Sequence, residues 1–292
     1  MKTVAFIGMG TMGEPMARNL LARGFAVRVH NRRRQAEDGP AAAGAERAES
    51  PAAAARGADV VFLCVSATAD VEQVLFEPER GVENGIARGA LVIDCSSIAP
   101  EATRSFAARM ARKGVGYVDA PVSGGSEGAR KATLAIMCGG SDEDFARALP
   151  YLEAVGRSIT HVGPVGSGQV TKAVNQVIIA GTYQSVAEGL VLAMRSGVDP
   201  ERVLAAIRGG AAASWVLENR AGNMIRDDYP LGFRMRLHRK DLGIALEAAA
   251  GVGAELPLTR MVAAHEDRLM AEGHGDEDMS ALARKVRRES GL

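Results

Sequence analysis

The chain has 292 residues, 47% of them apolar and 24% charged, with 35 basic residues set against 35 acidic ones. At roughly 100 to 200 residues per domain, that length predicts two domains, each able to bury a core of its own, and the composition is that of an ordinary globular protein. A formal net charge of zero supplies no overall field to attract nucleic acid or an anionic membrane, so any preference for anions has to be local.

The first predicted strand, Val4 to Gly8, runs directly into Gly8-Met9-Gly10-Thr11-Met12-Gly13 and then into a helix-like segment beginning at Glu14. Strand, three spaced glycines and helix form the dinucleotide fingerprint. The first glycine makes the tight turn, the second lets the backbone approach a pyrophosphate, and the third lets helix and strand pack closely. The helix N-terminus then offers N–H groups and a partial positive charge to the phosphates. The second strand, Ala26 to His30, ends in Asn31-Arg32-Arg33-Arg34. A carboxylate at this point would select the ribose hydroxyl of NAD. Three guanidiniums instead favour the 2′-phosphate of NADP, with Arg32 as the main contact and Asn31 and Arg33 beside it. The alternative is a solvated basic start to a surface helix, with NAD as the cofactor.

Further strands are predicted at Val60 to Val65, Leu91 to Asp94, Gly116 to Asp119, Leu134 to Cys138 and Ser158 to Val162, alternating with Ala- and Arg-rich helices. Ser50-Pro51 supplies a helix cap and Gly114 a helix stop. Residues 1–163 therefore read as one α/β domain with a doubly wound, Rossmann-type parallel sheet. Within it, Ser123-Gly124-Gly125 closes a strand with a hydroxyl and two glycines, either a plain turn or a nest of backbone N–H groups for a carboxylate. Cys64, Cys95 and Cys138 are odd in number and set in apolar runs, which predicts buried thiols in a reducing compartment; no Cys or His spacing suggests a metal. No apolar stretch approaches the roughly 18 residues of a bilayer span, and a cytoplasmic location without membrane contact is expected.

After Gly163-Pro164 the pattern turns helical. A nearly all-apolar helix of about 28 residues carries Val170 through Leu192, roughly 40 Å long, apolar enough to form both the core of the second domain and a subunit contact in a homodimer or homotetramer. Near its start, Lys172 and Asn175 share a face. An amine among apolar neighbours beside a helix N-terminus is disfavoured as a charge, which marks Lys172 as functional unless it reaches solvent at a domain edge. Helices around Pro200 to Arg208, Ala213 to Met224, Asp241 to Gly251 and Leu258 to Glu272 complete an all-helical domain over 164–292. Lys240 falls just ahead of a helix that Asp241 is expected to cap, and His238 reads as a structural or surface histidine rather than a ligand. Trp215, Asn219 and Phe233 are candidates for shaping a substrate pocket.

Together the glycine loop with Glu14-Pro15-Met16-Ala17-Arg18-Asn19-Leu20, the segment Asp94-Cys95-Ser96-Ser97-Ile98-Ala99-Pro100, and the Ser123, Lys172 and Lys240 segments resemble the β-hydroxyacid dehydrogenase family over essentially the whole chain. The resemblance implies that Lys172 is catalytic, that Asn175 supports it and touches substrate, and that Ser123 to Gly125 hold the substrate carboxylate. It places Val65, Ser66 and Ser97 beside the cofactor and Lys240 on the cofactor side. Within the family, Ser96 to Pro100, Ala206 to Gly210 and Gly251 to Thr259 look most like tartronate semialdehyde reductases. Ala132 stands where the family generally has glycine, and residues 126–130 depart from that branch. Related imine reductases typically lack the lysine.

The implied reaction is reversible hydride transfer between a nicotinamide and a small carboxylate-bearing semialdehyde or β-hydroxy acid, with 3-hydroxyisobutyrate, succinic semialdehyde and glyoxylate as alternatives to the tartronate type. In reduction Lys172 protonates the developing alkoxide and stabilises it electrostatically. In oxidation the same amine must be neutral, so an alkaline optimum is expected in that direction and a more neutral one in the other. A reading from another class is a nucleotide-binding oligomeric scaffold without catalysis.

Overall fold

The computed structural model describes residues 2–292 and divides into two compact units, one ending at Lys172 and the other spanning Ala173–Leu292. The division falls inside the long helix rather than ahead of it at 163–164.

In the first unit nine strands form one sheet: β1 Thr3–Ile7, β2 Ala26–His30, β3 Glu46–Arg47, β4 Val60–Leu63, β5 Leu91–Asp94, β6 Gly116–Asp119, β7 Val122–Ser123, β8 Leu134–Gly139 and β9 Gly156–Gly163. They run in the order β3-β2-β1-β4-β5-β6-β8-β7, with β9 also paired to β8. From β3 to β6 every pairing is parallel, and the order is that of the Rossmann fold. The expected all-parallel sheet needs one amendment, because β8 runs antiparallel to β6 and β7. The two strands absent from the sequence reading, β3 and β7, have two residues each, too few for any alternation to register.

The central strands read as unbroken apolar runs because both faces are covered. Successive side chains point to opposite faces. Val4 and Phe6 enter one core with Phe62 and Ile93, whereas Ala5 and Ile7 enter the other with Val61, Leu63 and Val92. Phe6 and Phe62 stack with centroids 5.4 Å apart. Ser50 caps its helix as expected, its Oγ accepting from the Ala53 N–H.

The second unit is helical among its described residues, with Pro200–Ile207, Trp215–Asn219, Ala221–Arg226, Met235–Val252, Pro257–Ala271 and Leu282–Glu289. Its core joins Ala180, Tyr183, Ala187 and Leu190 of the long helix to Leu204, Met224, Leu242, Val262 and Leu269. Three expectations change here. The single helix foreseen over 213–224 breaks at Arg220, whose guanidinium lies 4.7 Å over Trp215 and 3.8 Å from Asp278. The helix foreseen from Asp241 starts at Met235, so Lys240 and Asp241 sit inside it and Asp241 caps nothing. Asp278 sets that earlier start by accepting from the Gly232 and Phe233 N–H groups, while Met235 N–H donates to the Glu277 carbonyl.

The third change concerns the long helix Ser167–Arg195, which by length and composition does reach a bilayer span, with an 18-residue window of mean hydropathy 1.4 that is 44% buried. Isolated glutamines interrupt the apolar run without lowering its average much. Two of these, Gln176 and Gln184, are buried in the folded chain. Nor is the helix buried on all sides: Val170, Val174 and Ile178, four apart, form an exposed apolar stripe, and Ile178 is 63% exposed.

Candidate active site

The glycine loop is built for close approach. Gly8 adopts φ +103°, and a Cβ there would fall 2.2 Å from the Cys64 carbonyl oxygen, so this position admits only glycine. A Cβ at Gly13 would fall 1.9 Å from the Gly8 carbonyl oxygen, which is the helix-against-strand contact expected of the third glycine. Gly10 is the opposite case. It is exposed, and a Cβ there meets nothing within 4 Å. That open face beside a helix start, Gly13–Ala22, to which no side-chain cap is bonded, fits the pyrophosphate of a dinucleotide.

The end of β2 is held to this loop. Asn31 accepts at Oδ1 from the Met9 N–H (3.0 Å) and donates from Nδ2 to the Arg33 carbonyl (2.8 Å). Its side chain is thus engaged in holding the loop, a positioning task in addition to any cofactor contact. Behind it lies Glu37, fully buried, which accepts the Asn31 N–H at 2.7 Å and pairs with Arg34 at 3.1 Å. The sequence reading missed this carboxylate because it reaches the strand end from a turn six residues later. Arg32 and Arg33 remain exposed; Arg32 is 84% exposed and lies 3.7 Å from Asp70.

Val65, Ser66 and Ser97 occupy loops just past the C-terminal ends of β4 and β5, the edge where ligands bind in open α/β sheets. Ser96 joins them, its Oγ accepting from the Val65 N–H at 3.0 Å. Asp94 is fully buried and accepts from the Ser96 N–H and the Tyr117 hydroxyl, each at 2.9 Å. Burial pushes its carboxyl up from 3.8 to about 6 against those hydrogen bonds. The folded protein therefore holds this proton more tightly than the unfolded chain, and stability falls as pH rises through the window from about 4 to about 6. The full effect corresponds to about 3 kcal/mol. Chemical denaturation of wild type and Asp94→Asn across that window is expected to show their stability difference moving in the variant's favour as pH rises; a constant difference would refute it.

Ser123, at the end of β7, precedes Gly124 and Gly125, which adopt φ +130° and +62°. The exposed Glu127 carboxylate comes close to Gly125. The helix that follows, Gly125–Lys131, ends at Ala132 in the left-handed region, φ +54°. Glycine is the ordinary residue for such a cap, and alanine there carries roughly 1–2 kcal/mol of strain.

The long helix starts on a carboxylate. Asp119, at the end of β6, accepts from the Gly166 N–H (2.7 Å) and the Gln169 N–H (2.9 Å), satisfying two donors and opposing the partial positive charge at the helix start. Burial nevertheless raises its pKa, the backbone hydrogen bonds offsetting only part of the desolvation. Lys172, 9% exposed, lies one turn beyond Gln169. Neither Asp119 nor Gln169 stood out in sequence as a site residue, although a carboxylate closing a strand ahead of a glycine-flanked helix start was the signal available.

Within the second unit, Asn175 Nδ2 donates to Gln176 Oε1 (2.9 Å), Gln176 Nε2 donates to Asp241 Oδ2 (2.6 Å), and Lys240 Nζ lies 2.9 Å from Asp241 Oδ1. Asn175 and Lys240 are thus linked through a buried carboxylate. His238 is fully buried, its Nδ1 2.6 Å from Glu266 Oε1, a structural pairing. Among the described residues no His, Cys, Asp and Glu cluster could hold a metal ion.

A Rossmann sheet with a loop shaped for a dinucleotide defines the class, a nucleotide-dependent α/β protein with a helical second unit. Residues 3–163 match the family model for the NAD binding domain of 6-phosphogluconate dehydrogenase, and residues 166–286 match that for the NAD-binding of NADP-dependent 3-hydroxyisobutyrate dehydrogenase. The chain belongs to the 3-hydroxyisobutyrate dehydrogenase-like family of NAD(P)-dependent oxidoreductases acting on CH–OH groups. It is 39% identical to the 2-hydroxy-3-oxopropionate reductase of Escherichia coli, covering 97% of this chain and 96% of that one. It is 38% identical to the NAD-dependent L-serine dehydrogenase of Pseudomonas aeruginosa, with both chains covered to 97%. The structure of Mycobacterium tuberculosis 3-hydroxyisobutyrate dehydrogenase with L-serine superposes with a TM-score of 0.90 at 33% identity, covering 98% of this chain and 99% of that one.

Proposed function

We propose that the protein reduces a small semialdehyde of the tartronate type to a β-hydroxy acid, reversibly, with NADPH as the preferred reductant and Lys172 as the proton carrier. The observation that carries this reading is Lys172 itself, an amine 9% exposed on a helix turn whose start is fixed by Asp119. A bound nicotinamide supplies the hydride. Lys172 delivers a proton to the carbonyl oxygen and, as an ammonium, stabilises the charge that develops there. Asn175, one turn further along the helix, supports it. The Ser123, Gly124 and Gly125 backbone takes the substrate carboxylate, consistent with two successive glycines at positive φ. Gly8 to Gly13 take the pyrophosphate, Val65, Ser66 and Ser97 the nicotinamide half, and Lys240 stands on the cofactor side.

Preference for NADP rests on Arg32 and Arg33, both exposed at the end of β2, because guanidinium pairs bidentately with phosphate. The buried carboxylate Glu37 is turned to the Asn31 N–H. The substrate type rests on the reductase likeness and on the segments Ser96 to Pro100, Ala206 to Gly210 and Gly251 to Thr259. A homodimer or homotetramer is proposed from the exposed Val170, Val174 and Ile178 stripe. A cytoplasmic location is proposed with it, supported by three unbridged cysteines. Cys95 and Cys138 are buried, whereas Cys64, expected to be buried as well, is partly exposed; desolvation raises all three thiols, Cys64 and Cys138 to about 12.

A single panel tests this reading: tartronate semialdehyde, methylmalonate semialdehyde, succinic semialdehyde and glyoxylate, each with NADPH and with NADH, alongside L-serine oxidation. The highest kcat/KM is expected for tartronate semialdehyde with NADPH. A preference for NADH of about tenfold or more, equal to about 1.4 kcal/mol, would overturn the Arg32 assignment.

A further inference from the structure

Ser97 is gripped from both sides by one side chain. Gln169 donates from Nε2 to the Ser96 carbonyl (2.8 Å) and accepts at Oε1 from the Ile98 N–H (3.1 Å), as a neighbouring strand would. The residue is 2% exposed, and its own N–H is committed to Asp119 Oδ2. The loop it grips is tied in turn to Val65 through Ser96 Oγ and to Asp94 through the Ser96 N–H. Gln169 and Lys172 are three residues apart on the same helix, so they share a face.

We infer that Gln169 is a positioning residue that holds the Ser97 loop in register with the helix turn bearing Lys172, so that hydride and proton reach the same carbonyl group together. This rests on the nicotinamide-side and proton-carrier roles proposed for Ser97 and Lys172. Near-attack geometry is sensitive to displacements of about 1 Å, which can lower turnover by about 100-fold, and a clasp made of two hydrogen bonds to consecutive peptide units on either side of Ser97 controls that distance directly.

The test compares Gln169→Met and Gln169→Glu with Lys172→Ala. Methionine keeps the length and loses both hydrogen bonds. Glutamic acid keeps both while protonated, its O–H donating to the Ser96 carbonyl and its C=O accepting from Ile98. Once ionised it opposes one acceptor with another. Asp119 accepts the N–H of residue 169, Asp94, bonded to the Tyr117 hydroxyl and flanked in sequence by the Cys95 thiol, holds the Ser96 N–H of the gripped loop, and Lys172 lies one turn along; burial and the two carboxylates favour the protonated form of the new side chain. Gln169→Met is expected to lower kcat for aldehyde reduction by about tenfold or more at every pH. It should also raise the primary isotope effect with 4-deuterated NADPH and leave cofactor Kd within about threefold. Gln169→Glu should approach wild-type kcat at the acidic end of the profile and fall toward the methionine level as pH rises, a loss that wild type does not share.

Lower thermal stability with kcat, isotope effect and pH profile unchanged would make Gln169 merely structural and overturn the inference. Should Gln169→Met fail to fold, the pH profile of Gln169→Glu decides alone. A disabled Lys172→Ala beside unaffected Gln169 variants removes this inference and leaves the proposed function standing. Full turnover by Lys172→Ala removes both.

Discussion

Lys172→Ala is expected to lower kcat for aldehyde reduction by about 100-fold or more while cofactor Kd changes by less than about threefold. The asymmetry follows from where the residue sits. The glycine loop is tied to the β2 end through Asn31, and the β4 loop to the β5 loop through Ser96, so the cofactor cradle has ties of its own that an alanine at 172 leaves in place. In the proposed role, what alanine removes is a proton donor and a positive charge at the reacting oxygen, interactions that strengthen only as the alkoxide forms. Steady-state kinetics and cofactor titration of the same preparation separate the two. Parallel loss of cofactor binding and turnover would recast the lysine as part of the binding site. The remaining pH dependence offers a second reading, since the difference between the oxidation and reduction profiles should collapse in the variant.

Gly10→Val is expected to weaken cofactor binding by about ten- to hundredfold, in line with the 1–3 kcal/mol that overpacking a close contact costs, with thermal stability of the cofactor-free protein nearly unchanged. A side chain at this position meets nothing within 4 Å and requires no unusual backbone angle, so the fold has no reason to object. Its occupied space is that which the second glycine of the fingerprint leaves for pyrophosphate. Gly13→Ala provides the contrast. Its methyl would fall 1.9 Å from the Gly8 carbonyl oxygen, and stability should drop together with binding. Unaltered cofactor affinity in Gly10→Val would mean that the dinucleotide does not lie over this loop.

Much of this architecture was legible in the sequence because it is written locally. Val4 to Ile7, Val60 to Leu63 and Leu91 to Asp94 are short apolar runs buried on both faces, and the glycine loop combines its spacing with strand and helix on either side. The departure at Ala132 was visible as well. The structure gives it a physical meaning, since this is the left-handed cap for which glycine is the usual choice. Features that depend on distant partners were not legible. Gln169 meets Ser96 and Ile98 across 73 and 71 positions, and Asp119 meets Gln169 across 50. The start of the Met235 helix likewise depends on Asp278, more than forty residues later. Glutamine and aspartate in such places carry no periodic signal, and only the folded backbone shows which peptide groups they serve.

The measurement that bears most directly on hydride transfer assisted by Lys172 follows deuterium from the cofactor. NADPH deuterated at the transferring position of C4 is mixed with tartronate semialdehyde and the enzyme, and the hydroxy acid is examined by mass spectrometry. The predicted result is a product one mass unit heavier, labelled at the carbinol carbon, formed by wild type and reduced by about 100-fold in Lys172→Ala. Tight cofactor binding with no labelled hydroxy acid from any of the four carbonyl substrates would contradict the account and leave a nucleotide-binding protein without this chemistry.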